Sequence, residues 1–554
     1  MGAEAVAHPA VLLVPFPAQG HITPMLQLAG VLAAHGVAPT VAVPDFIHRR
    51  IAAAASGCVG GGVALASIPS GIVIQQDAAA GGDDDDTPGF RDIVHSMEHH
   101  MPLHLERMLL ASASPRSRAP PPVACVVVDV LASWAVPVAA RCGVPAAGFW
   151  PAMLACYRVV AAIPELLDKG LISESGTPIS SAVESSDSDS DEQVVQDVGQ
   201  TTIRGLEILP AEVDLRVEEL PWLVGDSATR RSRFAFWLQT LHRARAFRWV
   251  LVNSFPAEAE AGCPAAAASD HDDDAHRLAR QGPRVLPVGP ALLPGGGILG
   301  ERTKQQPQPH CGNGNVNGNK SGPSMWRADA TCIGWLDAQR AGTVVYVSFG
   351  SWVGSIGADK VRELALGLEA TGRPFLWALK RDASWRAGLP EGFADRVAGR
   401  GKLVDWAPQQ DVLRHAAVGC YLTHCGWNST LEAVQHGVRL LCYPVSGDQF
   451  INCAYITGVW RIGLRLGGGG GGMTRDDVVE GIGRVMDDGG GEGRRLQENV
   501  WALRDRVVTA DARRAADRNV SSFVDEITAD RNVSSFVDEI TSDHPLLVQL
   551  YSVL

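Results

Sequence analysis

The sequence predicts an α/β protein with two folded domains. Short apolar strands alternate with helical patterns in two series along the 554 residues, first over residues 11–253 and again over residues 343–486. Residues 295–323, between the two series, are rich in Gly, Asn, Gln and Pro and have little capacity to pack. Two domains joined by a linker follow from this arrangement.

The first domain is predicted over residues 8–284. It opens with a buried strand at residues 11–16, followed by a helix that Thr23 would cap and Pro24 would begin. Several strands and helices come next, and the last strand of this domain is predicted at residues 249–253. Ligands of open α/β sheets bind where the strands end, so the residues that follow the strands are the candidates for function.

Two further strands of the first domain lead into candidate side chains. The buried strand at residues 123–128 ends on Asp129, whose carboxylate would either cap the next turn or serve the site. Another strand ends at Phe149 and is followed by Trp150 and Met153. These three are candidates for an acceptor pocket, although an aromatic residue after a strand belongs to the core about as often as it contacts a ligand.

The remaining segments are assigned from composition. Residues 173–200 are too polar and acidic to bury a face and are predicted to be a flexible insertion. Residues 285–330 are predicted to be the interdomain linker, residues 331–510 the second domain and residues 511–554 a tail. Within the tail, ADRNVSSFVDEIT occurs twice in succession over residues 516–541, which indicates either a tandem duplication or an error in assembling the coding sequence, and we assign no function to it.

Composition excludes several classes of protein. A formal net charge of −13 argues against a nucleic-acid partner, which would need a basic face. The 11 cysteines are odd in number and lack zinc-site spacing, so free thiols in a reducing cytosol and no metal site are expected. No apolar run reaches the ~18 residues of a membrane span, and Pro15 and Pro17 interrupt the first apolar run. We therefore expect a cytoplasmic protein without an integral membrane span.

The most informative stretch runs over residues 406–449. At residues 423–429, THCGWNS joins a buried strand to a helix. A helix that begins there presents free backbone N–H groups and a positive dipole end, which together suit a phosphate group. The junction therefore predicts a phosphate-binding site.

Other side chains of the same stretch suit the rest of a nucleotide sugar. Trp406 offers a flat face for a base, and Glu432, one helical turn past the junction, is an acceptor for two ribose hydroxyls. Asp448 and Gln449 supply two further hydrogen-bonding groups. The combination predicts a binding site for a nucleoside diphosphate sugar.

The spacing of WAPQ, HCGWNS, the following E and the final DQ resembles the signature box of the plant family-1 UDP-glycosyltransferases over all 44 residues. This resemblance implies a GT-B fold, with two Rossmann-like domains whose parallel sheets face a central cleft. It also implies that a closing helix near residues 496–509 reaches back to the first domain. Arg439 stands where the family commonly has proline, but this departure removes no expected ligand contact. SFGSWVGSIG and LLCYP resemble the small subfamily numbered eighty-two.

The resemblance implies a role for each residue of the donor site. Trp406 would stack on the uracil, with Gln409 and the backbone of Ala407 at its edge, and Glu432 would bind the ribose. Trp427 would contact the hexose. The full set of expected UDP-sugar contacts is Ser351, Trp406, Ala407, Gln409, His424, Gly426, Trp427, Asn428, Ser429, Glu432, Asp448 and Gln449.

The catalytic pair is also implied by the resemblance. His21, in AQGHITP after the first strand, corresponds to the family's catalytic base, and Asp129 corresponds to the acid that orients it. Considered alone, His21 would more often be a loop histidine that satisfies nearby backbone groups. The position of both residues after neighbouring strands favours the catalytic interpretation.

The implied function is transfer of a hexose from a UDP-sugar to a hydroxyl of a small lipophilic plant metabolite. We expect glucose as the sugar, UDP-glucose as co-substrate without a metal ion, inversion to a β-glycoside, and a monomer. Two alternatives remain open, a non-catalytic UDP-sugar-binding protein and a GT-B epimerase that acts on the sugar nucleotide. Intact His21 and Asp129 argue against the first.

Overall fold

A computed structural model of the protein describes residues 8–54, 62–72, 88–112, 122–179, 209–210, 212–213, 215–216, 219–255, 283–293, 328–351, 353–467, 472–487 and 489–543. From residue 530 onward it describes the backbone only. Most of the predicted insertion, most of the predicted linker and the end of the predicted tail lie outside the described residues.

Within these residues, thirteen strands form two sheets in which every pairing is parallel. The strands of the first sheet are β1 Ala10–Val14, β2 Ala38–Pro44, β3 Ala64–Ile68, β4 Val123–Asp129, β5 Ala146–Trp150, β6 Trp249–Val252 and β7 Arg284–Pro287. Those of the second sheet are β8 Val344–Ser348, β9 Phe375–Ala378, β10 Gly401–Val404, β11 Val418–Thr423, β12 Arg439–Cys442 and β13 Gly463–Arg465. Their orders are β3-β2-β1-β4-β5-β6-β7 and β10-β9-β8-β11-β12-β13.

Helices connect and cover the strands. In the first half they are α1 Gln19–Ala34, α2 Asp45–Ala54, α3 Phe90–His99, α4 Met101–Ser112, α5 Ala135–Arg141, α6 Leu154–Ala161, α7 Ile163–Asp168, α8 Ser227–Ala244 and α9 Gly289–Leu292. In the second half they are α10 Thr331–Asp337, α11 Ala358–Ala370, α12 Ala383–Arg386, α13 Phe393–Val397, α14 Gln409–Arg414, α15 Trp427–His436, α16 Gln449–Ala454, α17 Arg475–Val485, α18 Glu492–Val507 and α19 Ala510–Asp543. A short 3-10 turn, Val130–Ala132, follows β4, and a π-helical turn, Tyr455–Val459, follows α16. None of the described helices is long and apolar enough to cross a bilayer.

Both faces of the first sheet are covered by apolar side chains. In β1, Val11 and Leu13 pack into one core cluster, whereas Leu12 and Val14 pack into the cluster on the opposite face. All four are buried, as expected for a parallel strand between two layers of helices. This explains why β1 is apolar throughout and does not alternate with polar residues.

The strand order places functional side chains at one point in each sheet. β1 lies between β2 and β4, so the chain leaves β1 in one direction and later returns to its other side. β8 lies between β9 and β11 in the same way, and Ser348 at its end is paired with Thr423 at the end of β11. Such switch points open a crevice at the carboxyl ends of the strands.

The structure corrects two predicted boundaries. The last strand of the first sheet is not at residues 249–253, because β7 pairs with β6 inside the segment predicted as linker. The closing helix is α19 and not the helix expected near residues 496–509, since α18 packs on the second sheet and on α15. The first copy of the repeat forms part of α19, and its Val520, Phe523 and Ile527 are buried in the core of the first domain.

Helix α1 also begins earlier than predicted. Its N-cap is Ala18, so Thr23 is not the cap and Pro24 lies inside the helix. The missing N–H of Pro24 leaves the Gly20 carbonyl without its usual intrahelical donor. The backbone N–H of Ala18 donates to the carbonyl of Phe16, and the helix begins directly after this turn. The helical pattern of the sequence begins only later, at Pro24. His21 therefore lies in the first turn of a helix and not in a loop.

Candidate active site

A cavity of about 890 Å³ lies between the carboxyl ends of the two sheets. Its volume falls within the range of small-molecule binding sites. Side chains from both halves of the chain line it, including these residues expected from the sequence: His21, Trp150, Ser351, Trp406, Ala407, Gln409, His424, Gly426, Trp427, Asn428, Ser429, Glu432, Asp448 and Gln449. The structure thus brings His21 and the donor residues to one cavity.

His21 and Asp129 form a direct pair. His21 Nδ1 lies 2.8 Å from Asp129 Oδ2, and the other carboxylate oxygen accepts from Leu131 N at 2.9 Å. Asp129 is completely buried, whereas the His21 side chain keeps 23% of its surface exposed. Because a carboxylate only accepts, Nδ1 carries the proton and Nε2 is left as the acceptor nitrogen. This is the tautomer that a general base requires.

The loop between β11 and α15 is shaped for close approach to a ligand. Cys425 adopts φ 66°, an uncommon backbone conformation for a residue other than glycine, and its N–H donates to Thr423 Oγ1. Gly426 then caps α15, whose first turn contains no acidic residue. Asn428 and Ser429 of that turn line the cavity. The free N–H groups of the turn therefore form an anion site at the cavity wall.

His424 fills the narrow space between two glycines. A Cβ atom on Gly350 would lie 2.8 Å from the ring, and one on Gly426 would lie 2.4 Å from Nε2. Burial, together with the charge of Lys380, lowers the pKa of His424 to about 4. The ring is therefore neutral at neutral pH and can act on an anion only through an N–H donor.

Lys380 was missed by the sequence analysis. It follows β9, and its ammonium group donates to the carbonyls of Ser351 and Val353 at 2.9 and 2.6 Å. The lysine thereby fixes the loop after β8 that carries the predicted Ser351. A cation just past the carboxyl end of a strand was the available signal.

Gln409 is the centre of a hydrogen-bond network. Its Oε1 accepts from the hydroxyls of Tyr346 and Tyr421 at 3.2 and 3.0 Å, so its amide orientation is fixed. Its Nε2 donates to Ser429 Oγ at 2.9 Å and to Glu432 Oε2 at 2.7 Å. Burial raises the pKa of Glu432, and the hydrogen bond from Gln409 acts in the opposite direction. The network thus holds the Glu432 carboxylate in place. Tyr421, which completes it, was not singled out from the sequence.

Asp448 and Gln449 are also held by their neighbours. Gln449 Oε1 accepts from the backbone N–H groups of Val445 and Ser446 at 2.9 and 3.0 Å, which leaves its amide nitrogen as the free group. Asp448 Oδ2 accepts from Asn452 at 2.8 Å. Burial raises the pKa of Asp448, while Asn452 and then His21 across the cavity act to lower it. One donor and one acceptor therefore stand side by side at the cavity wall.

Two of the three predicted acceptor contacts are wrong. The Phe149 side chain packs in the core on the far face of the first sheet, with Ala147. Met153 is fully buried in the other core cluster and does not line the cavity. Trp150 does line it, and its indole N–H donates to the Met153 carbonyl at 3.0 Å.

The Trp427 indole is turned into the protein. It is 3% exposed, stacks on Phe255 at 6.4 Å between ring centroids, and donates its N–H to the carbonyl of Asn253. Its nitrogen is therefore not available to a sugar. Trp427 connects the second half of the chain, which carries the donor residues and is called the donor half below, to the end of β6. It also contributes to the cavity wall.

Three free thiols lie together behind the loop. The sulfur atoms of Cys425, Cys442 and Cys453 are within 4.8 Å of one another, and all three residues are buried. Burial raises the pKa of Cys425 and Cys442, which favours the neutral thiol. Hydrogen bonds with these two thiols lower the pKa of Cys453 instead. The neutral thiols of Cys425 and Cys442 pack as small apolar groups behind the Cys425 turn.

Comparison with known proteins identifies the family. A family model described as UDP-glucoronosyl and UDP-glucosyl transferase matches residues 327–503. UDP-glycosyltransferase 82A1 of Arabidopsis thaliana is 41% identical over 523 residues, which cover 94% of this chain and 98% of that protein. The chain belongs to the plant UDP-glycosyltransferases. The predicted family and subfamily are thereby confirmed, and the protein is an enzyme that transfers a sugar from a UDP-sugar to an acceptor.

Solved structures support the same fold. A crystal structure of Os79 from O. sativa in complex with UDP aligns with a TM-score of 0.67 and 24% identity, covering 93% of this chain and all of that one. A UDP-glucose:anthocyanidin 3-O-glucosyltransferase in complex with UDP aligns with a TM-score of 0.66 and 24% identity, covering 94% and 99%. The predicted GT-B fold of this UDP-glycosyltransferase is confirmed.

Proposed function

We propose that this enzyme transfers glucose from UDP-glucose to a hydroxyl of a small lipophilic metabolite, with inversion and without a metal ion. The observation that carries the proposal is the His21–Asp129 pair, which faces the loop before α15 across one cavity. A base on one side and an anion site on the other are the two groups that a single displacement at the anomeric carbon needs.

The proton moves to His21. Nε2 takes it from the acceptor hydroxyl while that oxygen bonds to the anomeric carbon, and Asp129 stabilises the imidazolium that forms. The bond from the anomeric carbon to the diphosphate oxygen breaks, and its electron pair leaves with UDP. Because one displacement inverts the configuration, an α-linked donor gives a β-glycoside. No carboxylate nucleophile takes part, unlike in retaining glycosidases.

The leaving diphosphate is stabilised from the donor side. The N–H groups at Asn428 and Ser429 and the neutral ring of His424 donate to its oxygens, and Lys380 adds a positive charge behind the loop that carries Ser351. These groups meet the developing negative charge, so no metal ion is required for the step.

The remaining donor contacts follow from the orientation of the side chains. Trp406 would stack on the uracil next to Ala407, and Glu432, held by Gln409, would accept from the ribose hydroxyls. The free amide of Gln449 would donate to the hexose while Asp448 accepts from it. Glucose is favoured by this donor–acceptor pair and by the UDP-glucose donor named for one of the similar structures.

The lipophilic character of the acceptor rests on the wall next to His21. Among the described lining residues of the first half, five are Phe or Trp: Phe16, Phe90, Trp150, Phe236 and Trp237. Phe16 lies 5.2 Å from the His21 ring, and Phe90 lies 6.4 Å from Phe16. A flat apolar acceptor fits against these rings with a hydroxyl at His21.

The test is UDP release by the purified enzyme from UDP-glucose, with and without a mixed panel of phenols, terpenoids and plant hormones, in the presence of EDTA. Release that depends on acceptor and resists EDTA, with a β-linked product by NMR, would support the proposal. Conversion of the donor without acceptor would favour an epimerase. UDP binding with neither reaction would favour a non-catalytic binder and contradict the proposal.

A further inference from the structure

One cation lies on the aromatic side of the cavity. Among the described lining residues of the first half, Arg233 is the single charged side chain apart from the titratable His21. The acidic lining residues, Asp411, Glu432 and Asp448, all belong to the donor half. An arginine on a wall that is otherwise uncharged and rich in aromatic side chains is therefore the feature that can distinguish one lipophilic acceptor from another.

Arg233 has no polar partner in the described part of the chain. Its guanidinium carbon lies 4.8 Å from the centre of the Phe90 ring, and its Nε is buried without a hydrogen bond. Other arginines of α8 have hydrogen-bond acceptors. Arg231 donates to Ser227, and Arg243 forms a bidentate salt bridge with Glu98, with both contacts at 2.8 Å. Arg233 differs from both because it points its charge toward a cavity and not toward a protein acceptor.

A half-buried charge without an acceptor is costly to keep. Burial lowers the pKa of Arg233, although a guanidinium remains charged at neutral pH. The Phe90 ring offsets part of this cost through a cation–π contact but supplies no hydrogen-bond acceptor. A planar group with two oxygens that enters the cavity would supply two hydrogen-bond acceptors. Their spacing matches the bidentate geometry that arginine recognises best.

The position of Arg233 relative to the base defines how such a ligand would lie. The rings of His21 and Phe16 lie 5.2 Å apart between centroids, those of Phe16 and Phe90 lie 6.4 Å apart, and Arg233 stands over the Phe90 ring. A flat molecule that reaches from His21 past these two phenylalanine rings would place one end at the base and the other at the guanidinium.

We propose that Arg233 binds the carboxylate of the acceptor, and that the natural acceptors are hydroxylated aromatic or alicyclic carboxylic acids. The hydroxyl at His21 is glycosylated, and the carboxylate at Arg233 is bound without reacting. This inference rests on the proposed function, since it assigns the acceptor of the same reaction.

The experiment compares acids with their methyl esters. The probes are 4-coumarate and 4′-hydroxybiphenyl-4-carboxylate, each with its methyl ester, which has the same ring system but no charge. We expect kcat/KM for an acid to exceed that for its ester about tenfold or more, as expected for loss of one charge-assisted pair. Arg233→Met should abolish that preference by raising KM for the acid while the values for the ester stay within about twofold. Arg233→Lys should restore part of the preference, because lysine keeps the positive charge but lacks the planar guanidinium that forms two parallel hydrogen bonds.

Two further measurements separate the possible outcomes. Arg231→Met removes a cation of the same helix outside the cavity and should leave the preference unchanged. Calorimetric binding of the acids to the UDP-bound enzyme tests Arg233 independently of turnover. Binding that Arg233→Met abolishes, without transfer in the wild type, would support the inference and contradict the proposed function. The inference would be overturned if the wild type showed the same kcat/KM and the same affinity for acid and ester. It would also be overturned if Arg233→Met lost kcat/KM equally for both.

Discussion

Asn428 donates from its side-chain nitrogen to the carbonyl oxygen of Gly20, at 2.8 Å. The acceptor is the carbonyl that Pro24, four residues later in α1, cannot satisfy. His21 follows Gly20 directly, and Asn428 lies in the first turn of α15. One hydrogen bond therefore connects the helix of the proposed base to the helix that faces the diphosphate. Asn253 Nδ2 supports it by approaching Asn428 Oδ1 at 3.4 Å.

Asn428→Ala should reduce turnover more than nucleotide binding. The substitution keeps the backbone N–H groups of α15 but leaves the Gly20 carbonyl without a donor, a loss of about 1–3 kcal/mol. We expect kcat to fall about tenfold, because the base is no longer held against the donor, with UDP affinity changed by less than about threefold. Steady-state kinetics and UDP titration measure the two effects. A large loss of UDP affinity with unchanged kcat would contradict this role.

Asp129→Asn should inactivate the enzyme without disturbing its shape. Leu131 N–H donates to Oδ1 of Asp129, so in the variant the amide oxygen would stay there and the NH₂ group would face His21. Nδ1 would then have to accept, and the imidazole proton would move to Nε2, where the acceptor hydroxyl must lose its own proton. We expect a loss in kcat of roughly 10²–10⁴-fold with UDP affinity retained. Activity within a few-fold of wild type would exclude the proposed tautomer.

Gly350→Ala should damage the donor site. The residue has φ 71°, and a Cβ atom there would lie 2.8 Å from His424, which is itself enclosed by Gly426. We expect KM for UDP-glucose to rise at least about tenfold, because neither the ring nor the backbone can shift freely. Gly399→Ala is the matched control, since its Cβ would meet nothing within 4 Å. Equal kinetics for the two variants would show that the packing around His424 is not required.

His424 should make the free enzyme less stable in acid. Its pKa is about 4 in the folded chain, below the usual value near 6.5, so the unfolded chain binds more protons between these values. The free energy of unfolding should therefore decrease as pH falls from about 6.5 to 4, by an amount of the order of 2–3 kcal/mol. Denaturant unfolding of wild type and His424→Gln across this range tests it, and the variant should show the smaller slope. His436, whose pKa burial also lowers to about 4, should preserve part of the slope in the variant.

The site could be predicted where function depends on consecutive residues. The loop around His424 and the first turn of α15 are one short segment, so their geometry follows from local sequence. The prediction that Phe149 contacts the acceptor was wrong because consecutive residues of β5 face opposite layers. A strand buried on both sides is apolar throughout, so its sequence does not indicate which face meets the cavity. Arg233 was missed because α8 becomes part of the wall only through its packing beside Phe90. Contacts between segments that are distant in the sequence cannot be predicted from either segment alone.

The first copy of the tail repeat should be the one that stabilises the fold. Trp249 Nε1 donates to Glu526 Oε2 at 2.8 Å, and Phe523 meets the Trp249 ring edge-on at 5.6 Å between centroids. Phe523→Ala should lower the free energy of unfolding by about 3–5 kcal/mol, the usual cost of deleting a fully buried aromatic side chain.

Phe536→Ala is a matched control for that substitution, because Phe536 occupies the same position in an identical 13-residue segment. It should cost less than about 1 kcal/mol, since Phe523 already packs against the Trp249 ring. Denaturant unfolding of the two variants gives both values under the same conditions. Similar losses for both would mean that each copy contributes to the core, and the tail would then be an element of the first domain along its whole length.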